Sequence, residues 1–367
     1  MKREGENMLK TERIKRVLCA LEPMGARQLL ITDPLSIYYL TEVSVQPFER
    51  FFGLLLRAEG EPVLFLNRLF HVPQEVGAEK VWYSDTDPCM ELVARYVKSD
   101  EVLAVDKELP ARHLLPLMEM HAAAGFLNGS PAVDRTRGVK DAEEQEKMIR
   151  ASAINDAAMA QFKTLVHEGV TEREIAGQML GIYRVLGADG YSFEPLVAFG
   201  PNAADPHHEP DDTPLRPGDC VLFDVGCIKD GYCSDMTRTF FFREVSEHSR
   251  RIYEIVRRAN EAAEAIIRPG VRLCELDAAA RDLITTEGYG EQFTHRLGHF
   301  IGLREHEYGD VSSGFDWPVE PGMIFSIEPG IYLSGDVGVR VEDLVLVTED
   351  GVRVLNRYPH DLEIIGD

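Results

Sequence analysis

The sequence lacks three features that would each indicate a class of protein: a surplus of basic residues, a long apolar run and paired cysteines. Its 39 lysines and arginines are outnumbered by 62 aspartates and glutamates, which gives a formal net charge of -23. Such an acidic surface repels phosphate backbones, so we expect no nucleic-acid partner. No run approaches the roughly 18 apolar residues of a membrane helix, so we expect no membrane segment. The start, MKREGENMLKTERIKR, has no apolar centre and predicts neither a signal peptide nor a transit peptide.

The six cysteines do not have the short spacing of a zinc knuckle. Cys220, Cys227 and Cys233 are the three that lie close together in sequence, but no Cys-x-x-Cys pair occurs among them. We therefore expect reduced, buried packing thiols rather than a thiolate metal site. A chain with unpaired cysteines and no targeting signal is expected in the reducing cytoplasm.

The chain of 367 residues is long enough for two domains. Strand-like and helix-like segments alternate in the first third and predict a small α/β domain with a mixed sheet. The charged stretch VKDAEEQEK then opens a long predicted helix, whose inner face we place on Ile149, Ala153, Ala157 and Ala160. A second helix is predicted from Thr171, where Glu172 and Glu174 favour the positive end of the helix dipole. Two similar helices follow later, so the order helix, helix, strands occurs twice.

The segment Cys220–Phe242, CVLFDVGCIKDGYCSDMTRTFFF, carries the first candidate ligands. Two apolar strands each contain an acid, Asp224 and Asp235, and the Asp230-Gly231 pair between them predicts a tight hairpin turn. A regular hairpin places the two acids nearly opposite one another on adjacent antiparallel strands. Buried carboxylates this close repel one another unless a cation lies between them, so the hairpin predicts a metal.

Three more polar residues interrupt apolar segments downstream: His299 in LGHFIGL, Glu328 in IFSIEPG and Glu342 in VRVEDLV. Four carboxylates and one imidazole form a hard, oxygen-dominated set that suits two divalent cations. Two ions about 4 Å apart would hold a shared hydroxide for hydrolysis.

The motifs DVGCIKDGYCSDMTRTF, HRLGHFIGLREHE, FSIEPGIYL and GVRVEDLVLVTEDG together resemble the metallopeptidase family of methionine aminopeptidase, aminopeptidase P and prolidase. The resemblance reaches back to FGPNAADPHHEP, and the N-terminal third looks like that of short bacterial Xaa-Pro dipeptidases. It implies an α+β chain with a C-terminal pita-bread domain of two pseudo-twofold halves. Residues 138–367 would form this catalytic domain, and residues 1–137 a smaller N-terminal domain that serves dimerisation and pocket closure.

The resemblance also implies a role for each site residue. Asp224 would bind one ion, Asp235 and Glu342 would bridge both, and His299 and Glu328 would complete the other; the residue pattern alone does not assign the bridging ligands. Glu328 would also take the proton of the attacking water.

For the substrate, the resemblance implies that His207 touches the scissile amide and that His306 steadies the tetrahedral intermediate. His208 matches no family position, and His295 is expected to support the site or pack beside it. Arg340 matches a family arginine and is the expected partner of the substrate carboxylate, with Arg304 as the alternative. Where archaeal prolidases often have Pro-Arg after the His-Glu pair, this chain has Tyr308-Gly309-Asp310.

The resulting prediction is a cytoplasmic, homodimeric dipeptidase that cleaves Xaa-Pro dipeptides. It would use two divalent ions, expected to be Mn²⁺, with Co²⁺, Fe²⁺ or Zn²⁺ as alternatives. The first rival is an Xaa-Pro aminopeptidase, or aminopeptidase P, that acts on longer peptides at the same centre. A metal-free creatinase-like hydrolase and a non-catalytic binding protein are the other two rivals.

Overall fold

The computed structural model describes residues 8–366. These residues form two compact units that divide between Thr136 and Arg137. Residues 1–7, which begin the segment considered above for targeting, lie outside the described residues. No helix of the described part combines the length and the apolar character that crossing a bilayer requires.

The first unit is built on a six-stranded mixed sheet in the order β4-β3-β2-β1-β5-β6. Its central strand β1 pairs antiparallel with β2 and parallel with β5, and all four of its residues are buried. The elements are α1 (Thr11–Leu21), β1 (Gln28–Ile31), α2 (Pro34–Thr41), β2 (Gly53–Arg57), β3 (Val63–Asn67), β4 (Glu79–Tyr83), α3 (Cys89–Ala94), β5 (Val102–Val105), α4 (Ala111–Glu119), β6 (Gly125–Asn128) and α5 (Ser130–Gly138), which runs across the division.

The second unit begins with a pair of helices followed by six strands. A four-stranded sheet in the order β20-β12-β9-β8, in which β20 is Ile364–Ile365, forms its first layer. A small sheet, β11-β10-β7, extends from the same hairpin. The elements are α6 (Ala142–Phe162), α7 (Glu172–Val185), β7 (Gly190–Tyr191), β8 (Leu196–Phe199), β9 (Cys220–Val225), β10 (Cys227–Lys229), β11 (Tyr232–Cys233) and β12 (Met236–Phe242).

The same order of elements then recurs, with a second helix pair followed by strands. A five-stranded sheet, β14-β13-β15-β18-β19, and the hairpin β16-β17 form this half. The elements are α8 (Glu247–Glu264), α9 (Leu273–Thr286), β13 (Gly298–Phe300), β14 (Glu307–Val311), β15 (Ile324–Ile327), β16 (Gly330–Leu333), β17 (Val337–Arg340), β18 (Asp343–Val347), β19 (Val352–Val354) and β20 (Ile364–Ile365), which returns to the first sheet.

The face of α6 that packs inward differs from the predicted one. Ala153, Ala157 and Ala160 are exposed, whereas the opposite face, which includes Asn155, is buried. Asn155 is buried because its amide is fully used: Nδ2 donates to Val225 O at 2.9 Å, and Oδ1 accepts from the Tyr183 hydroxyl at 2.6 Å. The sequence does not show which face of α6 is buried, because a polar asparagine interrupts the buried stripe and alanines occur on both faces. The helix is thereby fixed to the strand that carries Asp224.

Candidate metal centre

The hairpin that carries the first two acids has the predicted tight turn. Lys229 pairs with Tyr232, and the two turn residues, Asp230 and Gly231, have φ values of 51° and 82°. The strand register places Asp224 opposite Thr237, which lies two residues after Asp235. The two acids are therefore diagonal neighbours on one face of the ladder rather than nearly opposite, as expected from the sequence. Their carboxylates still face the same space.

Gly226, between the strands of this hairpin, lies where no larger residue fits. A Cβ atom there would lie 2.1 Å from Ser192 Oγ and 2.2 Å from Ser234 O. The backbone needs this close approach because Cys227 N donates to Ser234 Oγ and Ser192 Oγ donates to Ser234 O across the same gap. The glycine thus keeps the chain between the two acids in register.

The remaining three predicted ligands lie in the second half of the unit. His299 is in β13, Glu328 follows β15, and Glu342 lies between β17 and β18. Two backbone bonds connect these positions to their neighbours: Glu342 N donates to Thr237 O at 3.1 Å and Glu328 N donates to Leu297 O at 2.8 Å. As a result, all five predicted ligands line one cavity of about 590 Å³.

Four of the five side chains come close together within this cavity. Ligand atoms of Asp235, His299 and Glu342 all lie within 4.8 Å of one another. The His299 Nε2 atom lies 3.4 Å from Glu328 Oε1 and 3.7 Å from Asp235 Oδ2. Asp224 instead accepts a bond from Arg340 NH2 at 2.5 Å through Oδ2.

Burial and the repulsion between carboxylates raise the pKa values of three acids in this cluster, Asp235, Glu342 and Glu328. Burial, and after it the charges of Glu342 and Asp224, raise the pKa of Asp235 well above its ordinary value. Burial, then Glu328 and Asp224, do the same to Glu342. Burial and the charge of Asp224 outweigh the opposing effect of Arg340 and raise the pKa of Glu328 to about 7. The cluster therefore lacks positive charge, and a cation would supply it.

The unpaired polar atoms of the cluster fit a divalent cation. Among the described residues, the buried atoms Asp224 Oδ1 and Asp235 Oδ1 have no hydrogen-bond partner. His299 Nδ1 lies 3.2 Å from its acceptor, Phe300 O, which leaves Nε2 without a proton in the neutral ring. Burial and the nearby His306 lower the pKa of His299, so this ring is neutral. A bare imidazole nitrogen that faces carboxylate oxygens is the arrangement of a metal ligand.

His306 lies directly against this cluster. Its ring packs against that of His299, with centroids 3.9 Å apart and the ring planes tilted by 40°. Arg296 NH2 donates to His306 Nδ1 at 3.2 Å, and Arg296 NH1 donates to Asp310 Oδ1 at 2.5 Å. Since a guanidinium has only donors, His306 Nδ1 must accept, and the neutral ring carries its proton on Nε2. His306 is therefore a hydrogen-bond donor at the cavity wall.

Arg340 is buried, and all three of its nitrogens donate within the chain. Nε donates to Thr237 Oγ1 at 3.0 Å, NH1 to the Tyr332 hydroxyl at 2.8 Å, and NH2 to Asp224. Tyr332 in turn lies 2.9 Å from His295 Nε2, and burial and the charge of Arg340 lower the pKa of His295 to about 4. His295 can therefore support the site through Tyr332, because it holds the Tyr332 hydroxyl, which in turn orients Arg340 against Asp224.

The loop between β8 and β9 brings two more histidines to the cavity. His207 and His208 both line it, but only His208 has a close carboxylate partner, with Nε2 2.6 Å from Glu172 Oε2. Arg304, the alternative carboxylate partner, is exposed and does not line this cavity.

Sequence reasoning missed two residues that shape the site, Arg296 and Glu172. Arg296 sits in HRLGH, beside the ligand histidine, where its chemistry had not been considered. Glu172 was interpreted only as an acid that favours the positive end of the helix dipole, but its spacing to Ile175, Met179 and Tyr183 places it on the buried stripe of α7. That spacing was the signal that could have identified it.

Two family models and a relative match most of this chain. The model of metallopeptidase family M24 matches residues 146–349, and that of the creatinase/prolidase N-terminal domain matches residues 13–139. An uncharacterized peptidase of Staphylococcus aureus (strain MSSA476) is 39% identical over 94% of this chain and 99% of its own length.

Two solved structures are similar over nearly the whole chain. Dipeptidase PepE of Mycobacterium ulcerans has 34% identity and a TM-score of 0.91, covering 97% of this chain and 98% of its own. A recombinant prolidase of Thermococcus sibiricus has 34% identity and a TM-score of 0.88, covering 99% and 100%. The predicted fold class, with a pita-bread domain after a mixed α/β domain, is thereby confirmed. The chain belongs to metallopeptidase family M24 and is a peptidase of the prolidase-like kind.

Proposed function

We propose that this protein is a dipeptidase that hydrolyses Xaa-Pro dipeptides at a centre of two divalent metal ions. The observation that carries the proposal is the meeting of four carboxylates and a neutral imidazole in one cavity without enough positive charge to balance them. The similar structures of a dipeptidase and a prolidase support the choice of substrate.

Asp224, Asp235, His299, Glu328 and Glu342 would hold the ions. The oxygen-rich donor set favours Mn²⁺, and Co²⁺, Fe²⁺ or Zn²⁺ are compatible with it. Such ions, when bound, lower the pKa of a water molecule and polarise the scissile carbonyl. Asp224 is held in place for this role by Arg340, which fixes Oδ2 and leaves the buried Oδ1 without a hydrogen-bond partner.

Three residues of the cavity would act on the substrate itself. His306 donates its Nε2 proton to the oxygen on which negative charge develops, and Arg296 keeps that proton on the correct nitrogen. His207, on the loop at the cavity wall, contacts the scissile amide. Glu328 accepts a proton from the attacking water and passes it to the leaving amine.

The wall of the cavity suits a proline side chain. Phe193, Pro195 and Leu196 on one segment and Pro206 and Pro210 on another give it an apolar lining. The peptide bond before proline is a tertiary amide and has no N–H for recognition. The enzyme must therefore identify the proline ring by its shape and by apolar contact. We propose Arg340 as the partner of the substrate carboxylate. Three of its five N–H groups donate within the chain, and the second N–H of NH1 and of NH2 would donate to the substrate.

Replacing Asp235 by Asn tests the metal centre. We expect the variant to lose bound metal and to hydrolyse Ala-Pro at least ~100-fold more slowly, because an amide is a poor ligand for hard cations. Asp230→Asn is the matched control: it makes the same change in the same hairpin at an exposed turn position where Asn tolerates the positive φ. An Asp235→Asn protein that holds two equivalents of metal and keeps the parent rate would refute the proposal.

The rival functions are separated by substrate and by metal content. Preference for Ala-Pro-Ala-Ala over Ala-Pro would identify an Xaa-Pro aminopeptidase instead. Bound metal in protein purified without chelators would exclude a metal-free creatinase-like hydrolase, and protein without metal would support one. RNA retained at physiological salt without peptidase activity would indicate a binding protein. We further propose a homodimer in the cytoplasm, which light scattering and cell fractionation would test.

A further inference from the structure

Glu172 is a buried acid that does not line the cavity, yet it contacts the loop that does. It lies in the first turn of α7 and is 0% exposed. The loop begins at Phe199, where β8 ends, and continues past His207 and His208 to Thr213. Four groups of this loop reach the two oxygens of the one carboxylate.

The four bonds are divided evenly between the oxygens. Oε1 accepts from Phe199 N at 2.8 Å and from Asn202 Nδ2 at 3.0 Å. Oε2 accepts from Asp211 N at 3.0 Å and lies 2.6 Å from His208 Nε2. These donors come from the start, middle and end of the loop, so a single side chain ties the loop together.

The loop also has internal bonds that depend on this arrangement. Asn202 Nδ2 also donates to Thr213 Oγ1 at 3.1 Å, and Thr213 N donates to Asp211 Oδ1 at 2.7 Å. His207 N donates to Asp205 Oδ1 at 3.0 Å. The backbone of His207 therefore follows the position of a segment whose two ends are fixed by Glu172.

A metal site is the other interpretation of Glu172, His208 and Asp211, since their ligand atoms lie within 4.8 Å of one another. The bonding argues against it. Each Glu172 oxygen already accepts from two donors, and Asp211 Oδ1 accepts from Thr213 N. A carboxylate surrounded by four donors is electrostatically satisfied without a cation.

We propose that Glu172 is a positioning residue for substrate binding, which holds the loop of His207 and His208 against the cavity by accepting four hydrogen bonds. This inference rests on the proposed peptidase function for its kinetic consequence, but the tether itself does not. Removing the carboxylate would take away the bonds at the start, the middle and the end of the loop, and the segment that carries His207 would be freer to move. The substrate contact from His207 would then be made less often and less accurately.

Glu172→Gln tests this proposal with almost no change in volume. Glutamine keeps one acceptor oxygen but places an NH2 group against the other two donors. The matched control is Glu174→Gln, in the same helical turn, where the acid is exposed and makes a capping box with Thr171 rather than a contact with the loop. Both variants lose one charge and one helix-terminal carboxylate, and only one of them loses the tether.

We expect kcat/KM for Ala-Pro to fall about 10- to 100-fold in Glu172→Gln and less than about 2-fold in Glu174→Gln, each measured well below its melting temperature. Metal content should equal that of the parent in both. Hydrogen exchange followed by mass spectrometry should be faster in residues 199–213 of Glu172→Gln alone. Asn202→Ala, which removes one tether from outside the cavity wall, should show a smaller change in the same direction if Glu172→Gln folds poorly.

Three results would overturn the proposal. Exchange in residues 199–213 that matches the parent would show that the tether does not hold the loop. A kcat/KM equal to that of Glu174→Gln would show that the loop position does not matter for the substrate. Loss of an equivalent of metal would show that Glu172 is a ligand. If the parent protein cleaves no Xaa-Pro dipeptide, the proposed function fails, and the exchange comparison still decides the tether.

Discussion

Glu307, the residue after His306, is a buried acid whose ionised form should stabilise the folded protein. Its carboxylate is buried and is bonded by Arg137, by Lys140 at 3.2 Å and by Leu303 N at 3.1 Å. Burial alone would raise the pKa of Glu307, but Arg137 and Lys140 outweigh burial and lower it from 4.5 to about 2. At roughly 1.4 kcal/mol for each tenfold change in proton affinity, the ionised form stabilises the folded state by about 3 kcal/mol.

Because the folded pKa lies below the unfolded one, this stability is present above about pH 4.5 and is lost as the pH falls toward 2. Glu307→Gln should therefore lower the free energy of unfolding by about 3–5 kcal/mol at pH 7, since it removes the negative charge that the buried Arg137 and Lys140 share. The difference from the parent should narrow by about 1.4 kcal/mol at pH 3.5, because glutamine does not titrate.

Urea unfolding at fixed Mn²⁺ concentration, followed by circular dichroism, measures both effects. The exposed Glu349 provides the control, because Glu349→Gln makes the same charge change and should alter stability by less than about 0.5 kcal/mol at either pH. A loss below about 1 kcal/mol for Glu307→Gln, or a difference that widens as the pH falls, would contradict the reasoning.

Three further predictions concern the cavity and its frame. Gly226→Ala should abolish metal binding or folding, because the added Cβ would overlap Ser192 and Ser234. Gly177 is the contrasting helical position, where an added Cβ would meet nothing within 4 Å, so Gly177→Ala should raise stability by about 0.5–1 kcal/mol in thermal melts. Arg340→Lys should reduce the preference for Ala-Pro over Ala-prolinamide if this guanidinium binds the substrate carboxylate, and an unchanged preference would point to Arg296. Chelation should lower the melting temperature, and Mn²⁺ at about 1,000 times its Kd should restore about 4 kcal/mol of stability in calorimetry.

The clustering of Asp235, His299 and Glu342 was predictable because charged residues stand out within apolar strands. Asp235, His299 and Glu342 each interrupt a segment that is otherwise buried, and the structure places them around one centre. The turn at Asp230-Gly231 was predictable for a different reason, since few residue pairs accept two positive φ values. Local chemistry decided both features, so the sequence alone was enough to predict them.

Features that depend on distant partners were not predictable in the same way. The inward face of α6 was placed wrongly because the burial of Asn155 depends on Tyr183 and on the backbone of β9. The tether at Glu172 depends on donors from a loop about thirty residues away in sequence. For Arg340, the sequence indicated a charge near the site but could not show that Asp224, Thr237 and Tyr332 accept from three of its five N–H groups.

The cluster of acids needs a rigid frame, because four carboxylates that repel one another would otherwise move apart. Arg238, buried on β12 beside Thr237, provides part of that frame without neutralising a ligand: NH1 donates to Glu342 O at 2.7 Å and NH2 donates to Asp343 Oδ1 at 2.8 Å. It fixes the backbone at Glu342, between β17 and β18, while its charge is balanced by Asp343. The fold thus holds the ligands in position at a cost in stability, and the free energy of metal binding offsets that cost. A site arranged in this way would bind metal with little rearrangement and should lose stability whenever the metal is removed.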